Sequence, residues 1–114
     1  MKIVKAVELL EQVLKDNKLY DKGWHPYINK RMYKCLGRCH WNKKRIDLSA
    51  LYVIYHPQDH VLQTIYHEVA HALCKPGHHK AWKKKAVEIG ATNPSRLIKT
   101  CWAYNIMLDN KFKK

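Results

Sequence analysis

The chain has 114 residues, with 22 lysines and arginines against 9 aspartates and glutamates, giving a formal net charge of +13. That length predicts one domain over residues 1–114, with a modest core and no separate substrate-binding domain. The charge creates a field that draws in polyanions, with nucleic acid the natural partner. No apolar run is long enough to span a bilayer, and Met1-Lys2-Ile3-Val4-Lys5 leads into an amphipathic pattern rather than a signal peptide. The expectation is a cytoplasmic, DNA-associated monomer with no membrane contact.

In chain order, Ile3, Val4, Val7, Leu10, Val13 and Leu14 recur at three- and four-residue steps and predict an amphipathic helix to about Lys18. A loop with Gly23, Trp24 and Pro26 follows. From Tyr27 to Tyr55 the chain reads as β-like. Leu36–Trp41 and Ile46–Leu48 flank the polar turn Asn42-Lys43-Lys44-Arg45 as a hairpin, and Ala50–Tyr55 is a short buried strand or a helical turn. A helix from about Pro57 to Cys74 stops at Pro76 and Gly77, and another runs from about His79 to Ile89, ending at Gly90. Asn93-Pro94-Ser95 opens a short segment, Cys101–Met107 reads as a last strand, and a charged tail closes the chain. Helix, small sheet, then two helices is an α+β order.

The longer of those helices carries His67-Glu68-Val69-Ala70-His71, an H-E-x-x-H sequence. Two histidines four residues apart project from one helical face, near enough to bind one zinc ion, and the glutamate beside the first can reach a metal-activated water. Val61, Leu62, Ile65, Val69, Ala72 and Leu73 place the apolar residues on a different face, so the motif is expected on a half-buried helix. From the residues alone the third ligand is His78, His79 or Glu88. The longer pattern with glycine three residues after the second histidine fails, because Cys74 stands there and Gly77 occupies the place of the next histidine. The four cysteines, Cys35, Cys39, Cys74 and Cys101, include no C-x-x-C pair and read as free thiols, with Cys35, Cys39 and His40 a weak second zinc candidate.

Leu36-Gly37-Arg38-Cys39, Ile46-Asp47-Leu48-Ser49, Thr64-Ile65-Tyr66-His67-Glu68-Val69-Ala70-His71-Ala72-Leu73 and Gly77-His78-His79-Lys80-Ala81-Trp82-Lys83 together resemble the successive blocks of the SprT-like metalloprotease domain, from about Trp24 to Gly90. The resemblance implies a small zincin-like α+β domain with an N-terminal helix, a short sheet, the H-E-x-x-H helix and a following helix that carries the third ligand at its start. It implies zinc held by His67, His71 and His78, with Glu68 as general base and Trp82 at the family's aromatic position. His79 stands where the family usually has glycine. Many members continue into a zinc ribbon of two C-x-x-C pairs; only Cys101 stands in that region, so a minimal core is expected and any DNA contact falls to the core.

The reaction then expected is zinc-dependent peptide hydrolysis, with Glu68 taking a proton from water and passing it to the leaving amine. Family members include bacterial, phage-borne and eukaryotic proteins, one of which degrades proteins crosslinked to DNA, so the expected substrate is a protein bound or crosslinked to DNA. Basic clusters at Lys30-Arg31, Lys43-Lys44-Arg45, Lys80 with Lys83-Lys84-Lys85, and Lys111, Lys113 and Lys114 suit single-stranded or duplex DNA, with Trp41 or Trp102 available to stack on bases. Tyr66 and Lys80 are the nearest residues in sequence for a second oxyanion donor. The alternative is a basic nucleic-acid-binding protein whose zinc is structural; a further one is a recruiting module that docks through Val7 and Leu10 of the first helix.

Overall fold

The computed structural model describes residues 1–33, 35–74 and 80–92. The expected segments at 93–114, with Cys101, Trp102 and the last lysines, and the turn holding His78 and His79, lie outside the described residues.

Helix α1 spans Ile3–Asp16 and buries Ala6, Leu10, Val13 and Leu14 at helical spacing. It stops short of Lys18 because Asn17 turns both its backbone N–H and its side-chain amide onto the Val13 carbonyl, and Lys18 takes a left-handed φ of 60°. Of the two residues of the expected docking face, Leu10 is fully buried in the chain's own core and Val7 is partly exposed.

Three strands follow: β1 at His25–Asn29, β2 at Gly37–His40 and β3 at Arg45–Ser49, in the spatial order β1-β3-β2. The hairpin is present, with Arg38 opposite Asp47 and His40 opposite Arg45. The sequence placed Pro26 in a loop; the structure puts it inside β1, paired in parallel with Ile46. Proline lacks a ladder donor and is tolerated here because β1 is an edge of the described sheet.

Residues Ala50–Tyr55 form helix α2 rather than continuing the β-like run, because the Ser49 hydroxyl accepts the Tyr52 backbone N–H and caps it. Helix α3 spans Gln58–Leu73 and α4 spans Lys80–Ile89. The main core joins Leu10 and Leu14 of α1, Ile46 and Leu48 of β3, and Val61, Ile65 and Val69 of α3; a second cluster of Ala70, Trp82, Ala86 and Ala91 fills the space between α3 and α4. No helix among the described residues is long and apolar enough to cross a membrane.

Candidate metal centre

One turn of α3 carries both histidines of the motif, and the potential ligand atoms of His67, Glu68 and His71 all lie within 4.8 Å of one another. Two imidazoles and a carboxylate at that spacing are a donor set suited to a divalent transition ion. The motif lies on a half-buried helix as expected, with Val61, Ile65 and Val69 in the core and His67 partly exposed, but Glu68 and His71 are nearly as buried as that core, at 7% exposure each.

Trp82, fully buried on α4, stacks its ring on His71 with centroids 5.1 Å apart and planes 19° from parallel, and meets His67 edge-on at 4.7 Å. Its indole N–H donates to the His67 carbonyl at 3.2 Å. Trp41, in the turn between β2 and β3, donates its own indole N–H to the His71 carbonyl at 3.1 Å. Each histidine of the motif therefore has its backbone carbonyl held by a tryptophan from a different element. Periodicity and spacing give no signal for such contacts; the family resemblance marks Trp82 as aromatic but says nothing of Trp41 in this role.

Glu68 lies against β2. A Cβ at Gly37 would come within 3.1 Å of both the Glu68 Cγ and the Asp47 carbonyl oxygen, and within 3.2 Å of the Thr64 methyl. The missing side chain is what lets the strand approach the base this closely. Burial pushes the Glu68 carboxyl up to about 8; the Arg38 guanidinium opposes that shift and the Asp47 carboxylate adds to it. Burial, followed by the Glu68 charge, also pushes the Cys39 thiol well above its ordinary value. Cys35, Cys39 and Cys74 are free, and His40 turns its Nε2 to Asp47 at 3.2 Å.

Asp47 itself is fully buried and collects contacts from all three strands: Asn29 Nδ2 at 3.2 Å, His40 Nε2 at 3.2 Å and Arg45 Nε at 2.8 Å. It braces the sheet behind Glu68. Gly37→Ala is expected to press on the base from that same strand, costing about 1–3 kcal/mol through overpacking and lowering turnover by more than the stability loss explains. A thermal melt beside a turnover assay on the one preparation checks this.

Among the other candidates, Glu88 is exposed on α4 and pairs with Lys85 at 3.0 Å, so it does not join the histidines. Tyr66 lays its ring over Gly90, where an added Cβ would approach within 2.7 Å. Two of the basic residues in the hairpin turn are committed to the fold. Lys44 donates to the Lys22 carbonyl, and Arg45 pairs with Asp47 while lying 4.0 Å from the centre of the Tyr27 ring.

A helix that presents two histidines and a buried glutamate at metal-binding distance, packed against a small mixed sheet, defines an H-E-x-x-H metallopeptidase domain. The model of the SprT-like family matches residues 4–102, and the chain belongs to that family of zinc metallopeptidases. Among solved structures, the metallopeptidase zymogen of Pyrococcus abyssi abylysin is similar, with a TM-score of 0.59 and 15% identity over 96% of each chain. At that identity the likeness speaks for the fold. No curated protein matches the chain.

Proposed function

We propose that this protein is a zinc-dependent endopeptidase acting on proteins bound or crosslinked to DNA, with His67, His71 and His78 holding the metal. The observation that carries the chemistry is the convergence of His67, Glu68 and His71 on one buried turn of α3. Bound there, zinc would supply a Lewis acid that polarises the scissile carbonyl and makes water acidic near neutral pH. Glu68 takes the proton from the attacking water and returns it to the leaving amine. Trp82 and Trp41 fix the helix so that His67 and His71 keep one geometry. Gly37 gives the Glu68 side chain its room.

The DNA part of the reading is supported by the net charge of +13 and by Lys80, Lys83 and Lys84, which stand exposed on α4 next to the helix that bears the motif. A DNA-associated site of action inside the cell goes with it. The test is cleavage of a DNA-binding protein, with and without single-stranded DNA, by the wild type and by Glu68→Gln. Cleavage stimulated by DNA and lost in the variant supports the proposal. Function that survives the variant, with the fold lost on His71→Ala, supports instead a nucleic-acid-binding protein with a structural zinc. The affinity for single-stranded DNA should fall steeply as salt rises, because phosphate contacts release counterions; a salt-insensitive binding constant removes the DNA part and leaves the peptidase.

A further inference from the structure

Ile46, Leu48 and Cys39 turn into the core with the helices, so the alternate positions of β2 and β3 turn to the other side of the sheet. The strand registers set these outward positions in two rows, with His25, Arg45 and His40 in one and Tyr27, Asp47 and Arg38 in the other. Asp47 is the only acid among them, and its carboxylate is already met by Arg45, His40 and Asn29. The Arg45 guanidinium carbon lies 4.0 Å from the centre of the Tyr27 ring, and that tyrosine is still 44% exposed. Arg38 stands exposed, and no ion pair among the described residues engages it. Toward the His25 end of the face, Lys44 reaches the Lys22 carbonyl, and both lysines are exposed.

This face offers two things together: cations with no acid left to neutralise them, and an aromatic ring held in place by an arginine. An acidic peptide would meet the charge but bring nothing planar to the ring. A duplex keeps its bases stacked on one another, whereas a single strand presents them to a side chain. Tyr27 and Arg38 stand on the two edge strands, about 10 Å apart across β3. A base on the ring therefore leaves its phosphate chain room to cross the sheet toward the free guanidinium, where a forked donor suits a phosphate.

We propose that the outer face of the sheet docks single-stranded nucleic acid, with a base stacked on Tyr27 and the phosphate chain led across to Arg38. The inference rests on the DNA part of the proposed function and adds where the strand lies. It lies on the side of the sheet opposite α3, so a bound polyanion leaves the motif helix uncovered. Arg45, which sequence alone grouped with Lys43 and Lys44 as a phosphate contact, instead holds the stacking ring in place.

The experiment is fluorescence anisotropy of a short labelled oligothymidine titrated with the full chain at several salt concentrations. Tyr27→Ala should weaken binding on the order of tenfold, as the loss of one stacked base does, with the salt dependence unchanged, and Tyr27→Phe should keep wild-type affinity. Arg38→Ser should lower the slope of log affinity against log salt by about 0.7, the share of one phosphate contact on a single strand. Wild-type affinity and slope in both Tyr27→Ala and Arg38→Ser overturn the proposal, as does tighter binding of a duplex of the same length. Polyglutamate that displaces the oligonucleotide as well as unlabelled oligothymidine does, at matched charge, overturns it too and assigns the face to an acidic protein. The readings stay apart. A wild type that binds the strand while these variants bind equally well removes only this face, and a wild type that does not bind removes the DNA part of the proposed function and the face with it. Strand binding without cleavage of a DNA-free peptide counts against the peptidase and leaves the face standing.

Discussion

Replacing Glu68 with glutamine is expected to lower peptide cleavage by about two to four orders of magnitude, the usual contribution of a positioned general base, while metal content stays at wild-type level. Glutamine keeps the volume of the side chain where β2 presses closest, at Gly37, so the packing there is undisturbed. What it removes is the carboxylate that can accept a proton. Metal analysis and single-turnover cleavage of one protein substrate check both halves.

The same substitution has a second readout in the metal-free chain. There burial raises the folded-state pKa of Glu68 from the ordinary 4.5 to about 8. The stability tied to its neutral form is fully present below about 4.5 and is lost as pH rises through about 8. Metal-free Glu68→Gln should therefore melt above the metal-free wild type by a margin that widens across that window and is flat beyond it. A constant margin would mean that the carboxyl is solvated in the folded chain.

Trp82→Ala is expected to be the most damaging single change in the described core, at about 3–5 kcal/mol for the loss of a fully buried aromatic side chain. The ring is the largest fully buried side chain among the described residues, and it belongs to the cluster that joins α4 to α3. Its removal opens a cavity directly against the imidazoles of His67 and His71. Metal affinity should fall with stability, because the two histidines lose the surface that sets their ring planes. Trp82→Phe separates the contributions. It keeps an aromatic wall and loses the indole donor to the His67 carbonyl, costing about 1–3 kcal/mol if that buried oxygen is left short of a partner. Chemical denaturation with and without metal, beside a metal titration, distinguishes the two variants.

The sequence was most legible where one local signal decided the matter. The three- and four-residue steps of α1, the polar turn before Arg45 and the break after α3 each follow from residues within a few positions. Residues 50–55 were ambiguous because a short apolar run suits a buried strand or a helix equally, although Ser49 ahead of it was an available capping signal. Pro26 argued against a strand on a rule that holds only for central positions. At the site, the spacing of His67 and His71 predicted their common face, and Glu68 fell beside them as expected. The burial of that face was not legible, since it depends on Trp41 and Trp82 arriving from elements 30 and 15 residues away from the carbonyls they meet. The partners of the hairpin's basic run were hidden for the same reason: the run shows charge but not the carbonyl that Lys44 meets or the carboxylate that Arg45 meets.

The middle strand of the sheet is the last of the three to be made. Both β1 and β2 are synthesised before β3 but pair only with it, in the registers His25 with Arg45 and Gly37 with Leu48. A chain still on the ribosome with about 45 residues exposed would hold two strands with nothing to bond to, and an amphipathic helix whose buried partners, Ile46, Leu48 and Ile65, have yet to emerge. Assembly is then closer to a single late event than to stepwise growth from the amino terminus, and translational pausing before Ser49 would leave the nascent chain open to capture by chaperones.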